Sequence, residues 1–188
     1  SMLTQVLIMN NLDPTAVIGG RLPLINANGC AGESENMVCE ACEFVDTFLH
    51  LSPDQAVLLN IDNDHLDYFK TMENLVNSFK KFISMANTVY VNGDDTLCLE
   101  AADGTNANII TFGLDESNDF YAKNITPGSM GMCFDAYNSK GLLGSIELLV
   151  PGKHNVYNAL AVIAVSVNEG IDFTGIKSAV ESFSGAGR

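Results

Sequence analysis

Glu40 closes the short apolar run Met37-Val38-Cys39, and the polar cluster Asp62-Asn63-Asp64-His65 follows the apolar run that ends at Ile61. In an open parallel sheet, ligands bind just beyond the carboxyl ends of the strands. If these two runs form adjacent strands, Glu40 and His65 share one rim and reach one ligand or metal. The alternative is that Glu40 is a solvated strand end and that Asp62 or Asp64 caps the next helix. A metal at phosphates would be magnesium or manganese, which take hard oxygen ligands. Histidine is an unusual ligand for magnesium, so the residues alone suit His65 to carrying a proton or touching a phosphate.

A second constellation is Gly152-Lys153-His154-Asn155-Val156-Tyr157-Asn158. The Pro151-Gly152 turn delivers the chain to a helix whose first turn carries Asn155 and Asn158, three apart on one face. An asparagine amide offers a donor and an acceptor together, which matches the N6/N7 edge of adenine. Alternatively, Asn155 is an N-cap and Asn158 an exposed polar residue. Cys39-Glu40-Ala41-Cys42 matches C-x-x-C, but a structural zinc site needs a second set of ligands, and no second such pair exists. A redox pair normally opens a helix, whereas Cys39 ends an apolar run, so two ordinary buried thiols are expected. The sequence has no Gly-x-Ser-x-Gly elbow, no His-Glu-x-x-His and no intact Gly-x-x-x-x-Gly-Lys-Ser/Thr loop. His50 reads as an ordinary helix residue.

The elements that must position these groups follow from hydrophobic periodicity. Residues 56–61 are unbroken and apolar, as in a strand buried on both faces. Residues 67–85 carry Phe69, Met72, Leu75, Val76, Phe79, Phe82 and Ile83 at helical spacing. A strand over 88–91, a helix over 96–102 and a strand over 108–112 complete a β-α-β-α-β rhythm, which predicts an α/β fold with a mostly parallel sheet and flanking helices. After Gly113, close-spaced strand-like runs at 120–125, 131–137 and 144–150 predict a small antiparallel sheet attached to the parallel one. Two helices follow, over 155–168 and 174–183. Before this core, a helix opens the chain, a short strand over 15–18 is closed by Gly19-Gly20, a loop runs through Glu35, and one or two helical turns occupy 44–51.

Composition bounds the function. At 188 residues with 47% hydrophobic, the chain is one domain with a substantial core. Nine basic against 23 acidic residues give a net charge of −14, a surface that repels nucleic-acid backbones and anionic lipid. An anionic nucleotide could bind such a protein only where a cation or a cluster of backbone N–H groups compensates. Cysteines number five, mostly among apolar or small neighbours, as in reduced, buried thiols. With no signal peptide and no apolar run near the roughly 20 residues of a membrane span, the expected compartment is the cytoplasm. Helical periodicity at the first residue and the stop just after a glycine-marked helix end read as cuts at both ends.

Taken together, Cys39-Glu40-Ala41-Cys42-Glu43-Phe44-Val45-Asp46-Thr47-Phe48-Leu49, Asn60-Ile61-Asp62-Asn63-Asp64-His65-Leu66-Asp67, Pro151-Gly152-Lys153-His154-Asn155-Val156-Tyr157-Asn158-Ala159-Leu160 and Gly185-Ala186-Gly187-Arg188 resemble the Mur ligases, most closely the alanine-adding branch. They occur in the family's order and nearly at its spacing. The resemblance implies that residues 1–188 form a P-loop NTPase-like central ATP-binding domain. The family's Gly-Thr-His-Gly-Lys-Thr-Thr phosphate loop, its N-terminal UDP-binding domain and its C-terminal amino-acid domain would lie outside the chain. The implied enzyme is an ATP-dependent carboxylate–amine ligase of peptidoglycan synthesis. It joins L-alanine to UDP-N-acetylmuramate through an acyl phosphate, with ATP and magnesium as cofactors and no nucleic-acid or membrane partner. The fragment alone would be inactive.

By position, the resemblance makes Glu40 and His65 magnesium ligands and catalytic residues. Asn155 and Asn158 become adenine contacts, with His154 in the same segment, and Arg188 an arginine approaching the nucleotide. Several relatives hold a second magnesium with a carbamylated lysine; Lys80 and Lys81 lie near that region, and the alanine-adding branch does without one. Another Mur-type ligase, such as the one that reattaches recycled tripeptide, and a non-catalytic nucleotide-binding module are the alternatives.

Overall fold

The computed structural model describes residues 1–63 and 66–187. In chain order the elements are α1 (Met2–Met9), β1 (Thr15–Leu22), β2 (Ala27–Cys30), β3 (Met37–Cys39), a 3-10 helix (Phe44–His50), β4 (Gln55–Leu58), α2 (Leu66–Phe69), α3 (Met72–Ile83), β5 (Thr88–Asn92), α4 (Thr96–Ala102), β6 (Asn108–Gly113), β7 (Phe120–Pro127), β8 (Met132–Asn138), β9 (Gly141–Glu147), α5 (Lys153–Asn168) and α6 (Phe173–Glu181).

The expected α/β fold is present. Strands β4 to β9 form one six-stranded sheet in sequential order. Its first four strands pair in parallel and β7-β8-β9 pair antiparallel, so the late strands extend the parallel sheet itself. Alternation on β5 explains the layering. Tyr90 faces a core shared with Phe112, Phe134 and the α5 residues Leu160 and Ile163. Val89 and Val91 face the opposite core, with Leu75 and Ile83 of α3 and Cys98 of α4. Each large apolar side chain buried this way contributes roughly 1.5–3 kcal/mol before chain entropy is counted. Among the described residues, no helix is long and apolar enough to cross a membrane.

Several local expectations are corrected. A three-stranded sheet, β2-β1-β3, stands apart from the six-stranded one. Strands β3 and β4 are therefore not neighbours, and β3 pairs in parallel with β1 instead. Strand β1 runs through Gly19-Gly20 to Leu22, and β2 forms where a loop was expected. A Cβ at Gly29 would lie 2.7 Å from the Ala16 carbonyl oxygen, so glycine is what lets β2 approach. Strand β4 is an edge strand whose Val57 is 38% exposed, because α5 packs over β5 and β6. The helix expected over 67–85 is two helices. Lys70 takes φ 71°, and the Thr71 hydroxyl caps α3 by accepting the Asn74 N–H at 3.2 Å.

Helix α1 docks on α6 through its buried Gln5, whose Nε2 donates to the Ala179 carbonyl at 2.9 Å and to Ser182 Oγ at 3.0 Å. The chain then returns to β1: Arg21 and Gly187 exchange backbone hydrogen bonds of 2.7 and 2.9 Å.

Candidate functional site

Glu40 sits immediately beyond β3, its own N–H donating to the Val17 carbonyl of β1 at 2.9 Å. That pairing turns the side chain across β1, where Oε2 accepts the Gly19 N–H at 2.8 Å. The contact needs a glycine, because a Cβ at Gly19 would lie 2.4 Å from Oε1 and 2.7 Å from Oε2. Gly19 is thus the platform on which the carboxylate rests. The carboxylate is exposed.

His65 and Asp64 lie outside the described residues, but the chain on either side of them is placed. Asn60 Nδ2 donates to Asp62 Oδ2 at 2.8 Å, and Asn92 Nδ2 donates to the Leu59 carbonyl at 2.9 Å, fixing the exit from β4. Although β3 and β4 are not paired, the loops that follow them meet. Ala41 packs on the same apolar cluster as Ile61 and Phe69. The Tyr68 hydroxyl donates to Asp46 Oδ2 at 2.8 Å, and the Phe44 and Tyr68 rings lie 6.4 Å apart. Val45 and Asp46 both take φ 56°, a left-handed conformation costly for a β-branched residue. It turns the Asp46 carboxylate to Tyr68 and to the Ser78 hydroxyl. A cleft of about 640 Å³ opens beside this junction, lined by Asp46, Tyr68, Asn74, Asn77, Lys80 and Lys81 among others.

Asn155 and Asn158 share one face of α5, as the spacing predicts. The N-cap of α5 is Gly152, so neither asparagine caps the helix. Asn155 Nδ2 donates to the Pro151 carbonyl at 2.7 Å and lies 3.1 Å from His154 Nε2. Asn155 Oδ1 accepts an N–H of Asn158 at 3.2 Å. Asn155 therefore braces Asn158, whose amide keeps its carbonyl oxygen and a second N–H for a ligand by simple valence. The His154 ring folds back over Gly152, at φ 97°, where a Cβ would lie 2.5 Å from Cε1.

Arg188 lies outside the described residues, but Gly185–Gly187 connects the two clusters. A Cβ at Gly185 would lie 3.7 Å from Val150, just before the Pro151-Gly152 turn. Ala186 packs against Gly20, and Gly187 pairs with Arg21, one and two residues beyond the Glu40 platform. Glu40 and the Asn155 turn thus border opposite ends of one short segment.

Two features escaped the sequence reading. Cys39 and Cys42 are exposed rather than buried, because β3 lies at the edge of the small sheet. All five cysteines are free, and Cys98 alone is buried, its thiol pushed well up by burial and then by Asp95. The second is Asn92-Gly93-Asp94-Asp95, a polar cluster at the carboxyl end of β5. The rule that singled out Glu40 and Asp62 applies equally to this cluster, since it too follows an apolar strand. Asp95 caps α4, accepting the N–H groups of Leu97 at 2.9 Å and Cys98 at 3.0 Å.

Among the described residues no three His, Cys, Asp or Glu side chains gather closely enough to hold a metal unaided. One rim carboxylate with an oxygen to spare still suits magnesium, which is usually held by one or two carboxylates with waters and substrate phosphates.

A family model described as Mur ligase middle domain matches residues 19–166. The chain is 39% identical to the UDP-N-acetylmuramate--L-alanine ligase of Caldanaerobacter subterraneus, with 100% of this chain and 42% of that protein covered. The crystal structure of UDP-N-acetylmuramate-alanine ligase from Thermotoga maritima superposes with a TM-score of 0.85 at 26% identity, covering 98% of this chain and 42% of that one. That of UDP-N-acetylmuramate:L-alanyl-gamma-D-glutamyl-meso-diaminopimelate ligase from Neisseria meningitides superposes with a TM-score of 0.87 at 26% identity, covering 100% and 62%. The chain spans about 42% of the length of the curated relatives it matches.

Proposed function

The chain belongs to the Mur ligase family, and from that premise we propose that it is the central ATP-binding domain of a cytoplasmic ligase that joins L-alanine to the carboxylate of UDP-N-acetylmuramate. The relative at 39% identity carries that name over the whole of this chain. The phosphate loop, the UDP-binding domain and the amino-acid domain belong to the rest of the ligase, so residues 1–188 alone are inactive.

The reaction divides into two transfers. A carboxylate oxygen of the UDP-sugar attacks the γ-phosphorus of ATP, the bond from that phosphorus to the β-γ bridging oxygen breaks, and ADP leaves. The amine of L-alanine then attacks the acyl carbon. The tetrahedral intermediate expels phosphate as its C–O bond breaks, and the nitrogen loses a proton. Activation is required because a free carboxylate has only an oxide-like leaving group. Most of the catalysis is positioning and charge neutralisation around the phosphoryl group.

In this reading Asn158 reads the adenine edge, Asn155 holds Asn158 in plane, and His154 closes the same turn. Glu40 and His65 would hold magnesium, which supplies the positive charge that phosphates need on a protein of net charge −14. Arg188, the next residue in sequence after Gly185–Gly187, would supply a positive charge to the nucleotide. The observation that carries the proposal is that this single segment borders both Glu40's platform and the Asn155 turn. Such adjacency is what one nucleotide needs if the asparagine turn takes its purine and Glu40 the cation at its phosphates.

The test is Glu40→Gln in the intact ligase. Glutamine keeps an acceptor for the Gly19 N–H but removes the charge. Turnover should fall about 100-fold or more while the unfolding midpoint stays put, because metal-assisted phosphoryl transfer depends on several kcal/mol of charge stabilisation. Undiminished turnover refutes the metal role. A second reading, the ligase that reattaches tripeptide, is favoured by the 0.87 superposition on such an enzyme. Phosphate release with L-alanine and with the tripeptide as acceptors discriminates between the two.

A further inference from the structure

The carboxyl ends of β5 and β6 hold a polar knot for which the proposed site has no use. Asp94 Oδ2 accepts the Leu114 N–H at 2.6 Å and the Tyr157 hydroxyl at 2.9 Å. Its Oδ1 accepts an N–H of Asn118 at 3.0 Å and the long Asp115 N–H at 3.5 Å. Leu114 and Asp115 follow β6, Asn118 precedes β7, and Tyr157 lies in the first turns of α5. One carboxylate thus gathers the exits of two parallel strands, the entry to a third and the start of the helix. Asn92 extends the tie to β4, its Oδ1 accepting the Asp94 N–H at 3.1 Å while its Nδ2 holds the Leu59 carbonyl.

The surrounding backbone is shaped for this knot. A Cβ at Gly113 would lie 2.5 Å from both Asp94 Oδ1 and Asn118 Nδ2, and one at Gly93 would lie 1.9 Å from Asn118 Oδ1. Asn118 itself is only 7% exposed. A surface aspartate serving solubility alone would need neither glycine nor a buried amide beside it.

We propose that Asp94 is a positioning residue for nucleotide binding, acting through the Tyr157 hydroxyl to set the rotation of the first turn of α5 against the sheet rim. The proposal rests on the reading of Asn155 and Asn158 as purine contacts. Residues advance about 100° each around a helix, so Tyr157 stands about 100° from Asn158 and about 160° from Asn155, on the side of the turn away from the asparagine pair. Anchoring that opposite side to Asp94 at the rim prevents the turn from rolling, and a small roll would swing both amides out of plane with the base. Burial, followed by the hydrogen bond to Asp94 and its charge, pushes the Tyr157 hydroxyl up to about 12, so it remains a donor at neutral pH.

The experiment compares the intact ligase with its Tyr157→Phe, Asp94→Asn, Asn158→Ala and Tyr157→Phe/Asn158→Ala variants. The readouts are kcat, KM for ATP, KM for the UDP-sugar, the preference for ATP over GTP, and Tm. Tyr157→Phe should raise KM for ATP roughly tenfold, as loss of one hydrogen bond to a charged group does. It should also narrow the ATP preference and leave KM for the UDP-sugar unchanged. Asp94→Asn, which keeps an acceptor for the hydroxyl, should fall between wild type and Tyr157→Phe. In the double variant the effects should not add, because Asn158→Ala has already removed what the tyrosine aligns. If Tyr157→Phe lowers Tm without moving KM for ATP while Asn158→Ala does move it, Asp94 is structural only and the inference is overturned. If Asn158→Ala leaves KM for ATP unmoved, the purine reading fails and the inference fails with it.

Discussion

Gly19→Ala isolates the placement of Glu40 from its chemistry. Gly19 lies in the extended strand β1, outside the left-handed region, so alanine meets no backbone penalty there. The added methyl would lie 2.4 Å from Glu40 Oε1, against ordinary contact beginning at 3.4 Å, so the carboxylate must retreat by about 1 Å. Because the obstructing atoms are the end of a flexible, exposed side chain, the retreat is cheap. It disturbs one hydrogen bond worth about 1 kcal/mol, which the 0.5–1 kcal/mol advantage of alanine over glycine in a strand largely offsets. Stability should therefore stay within about 1 kcal/mol of wild type. Activity should not, since a displacement of 1 Å at a positioned group can lower the rate about 100-fold. The assay is phosphate release by the intact ligase across a magnesium titration, with thermal unfolding in parallel. Wild-type turnover and an unshifted magnesium requirement in a folded variant would refute the reasoning that Gly19 holds a metal-binding carboxylate in place. A large drop in Tm would show instead that Gly19 is needed by the sheet.

Three further outcomes are expected. A thiol reagent should label the exposed Cys39 and Cys42 rapidly in the native protein. Cys98, buried and with its thiol pushed up, should react only after denaturation; native labelling of Cys98 would contradict its place on the buried face of α4. Leu160→Ala, at a fully buried position between α5 and the sheet, should destabilise by about 2–5 kcal/mol and lower Tm by roughly 5–15 °C in a domain of this size, as read by calorimetry. Hydrogen bonds hold three carboxyls below their ordinary value: Asp115 by the Ser117 N–H and hydroxyl, Asp135 by the Ser145 hydroxyl and then Asn124, and Asp172 by the Thr174 hydroxyl and N–H. A depressed folded-state pKa stabilises above the unfolded value, near 3.9, and that stability is lost as pH falls below it. Tm should thus decline as pH drops below about 4, and Asp172→Ala should decline less steeply than wild type.

Local pattern carried most of the fold. The alternation of apolar runs and helical periodicity from residue 56 to 112 predicts β4, α3, β5, α4 and β6 in order, because each element's burial is written in its own spacing. Helix α5 with its asparagine pair, and the place of Glu40 at a strand end, are equally local. What sequence spacing could not supply is which strands pair. Hydropathy reports that residues 56–61 avoid water on average, but not that β4 is an edge strand with Val57 exposed, nor that β3 joins β1 in a separate sheet. For the same reason the exposure of Cys39 and Cys42 was hidden. Asp94 is the clearest case: alone it is one acidic residue among many on a protein of charge −14, and only the convergence of Leu114, Asn118 and Tyr157 from distant parts of the chain gives its carboxylate a task. Periodicity is a property of neighbours along the chain, whereas a hydrogen-bonded hub is a property of neighbours in space, and those are chosen by packing.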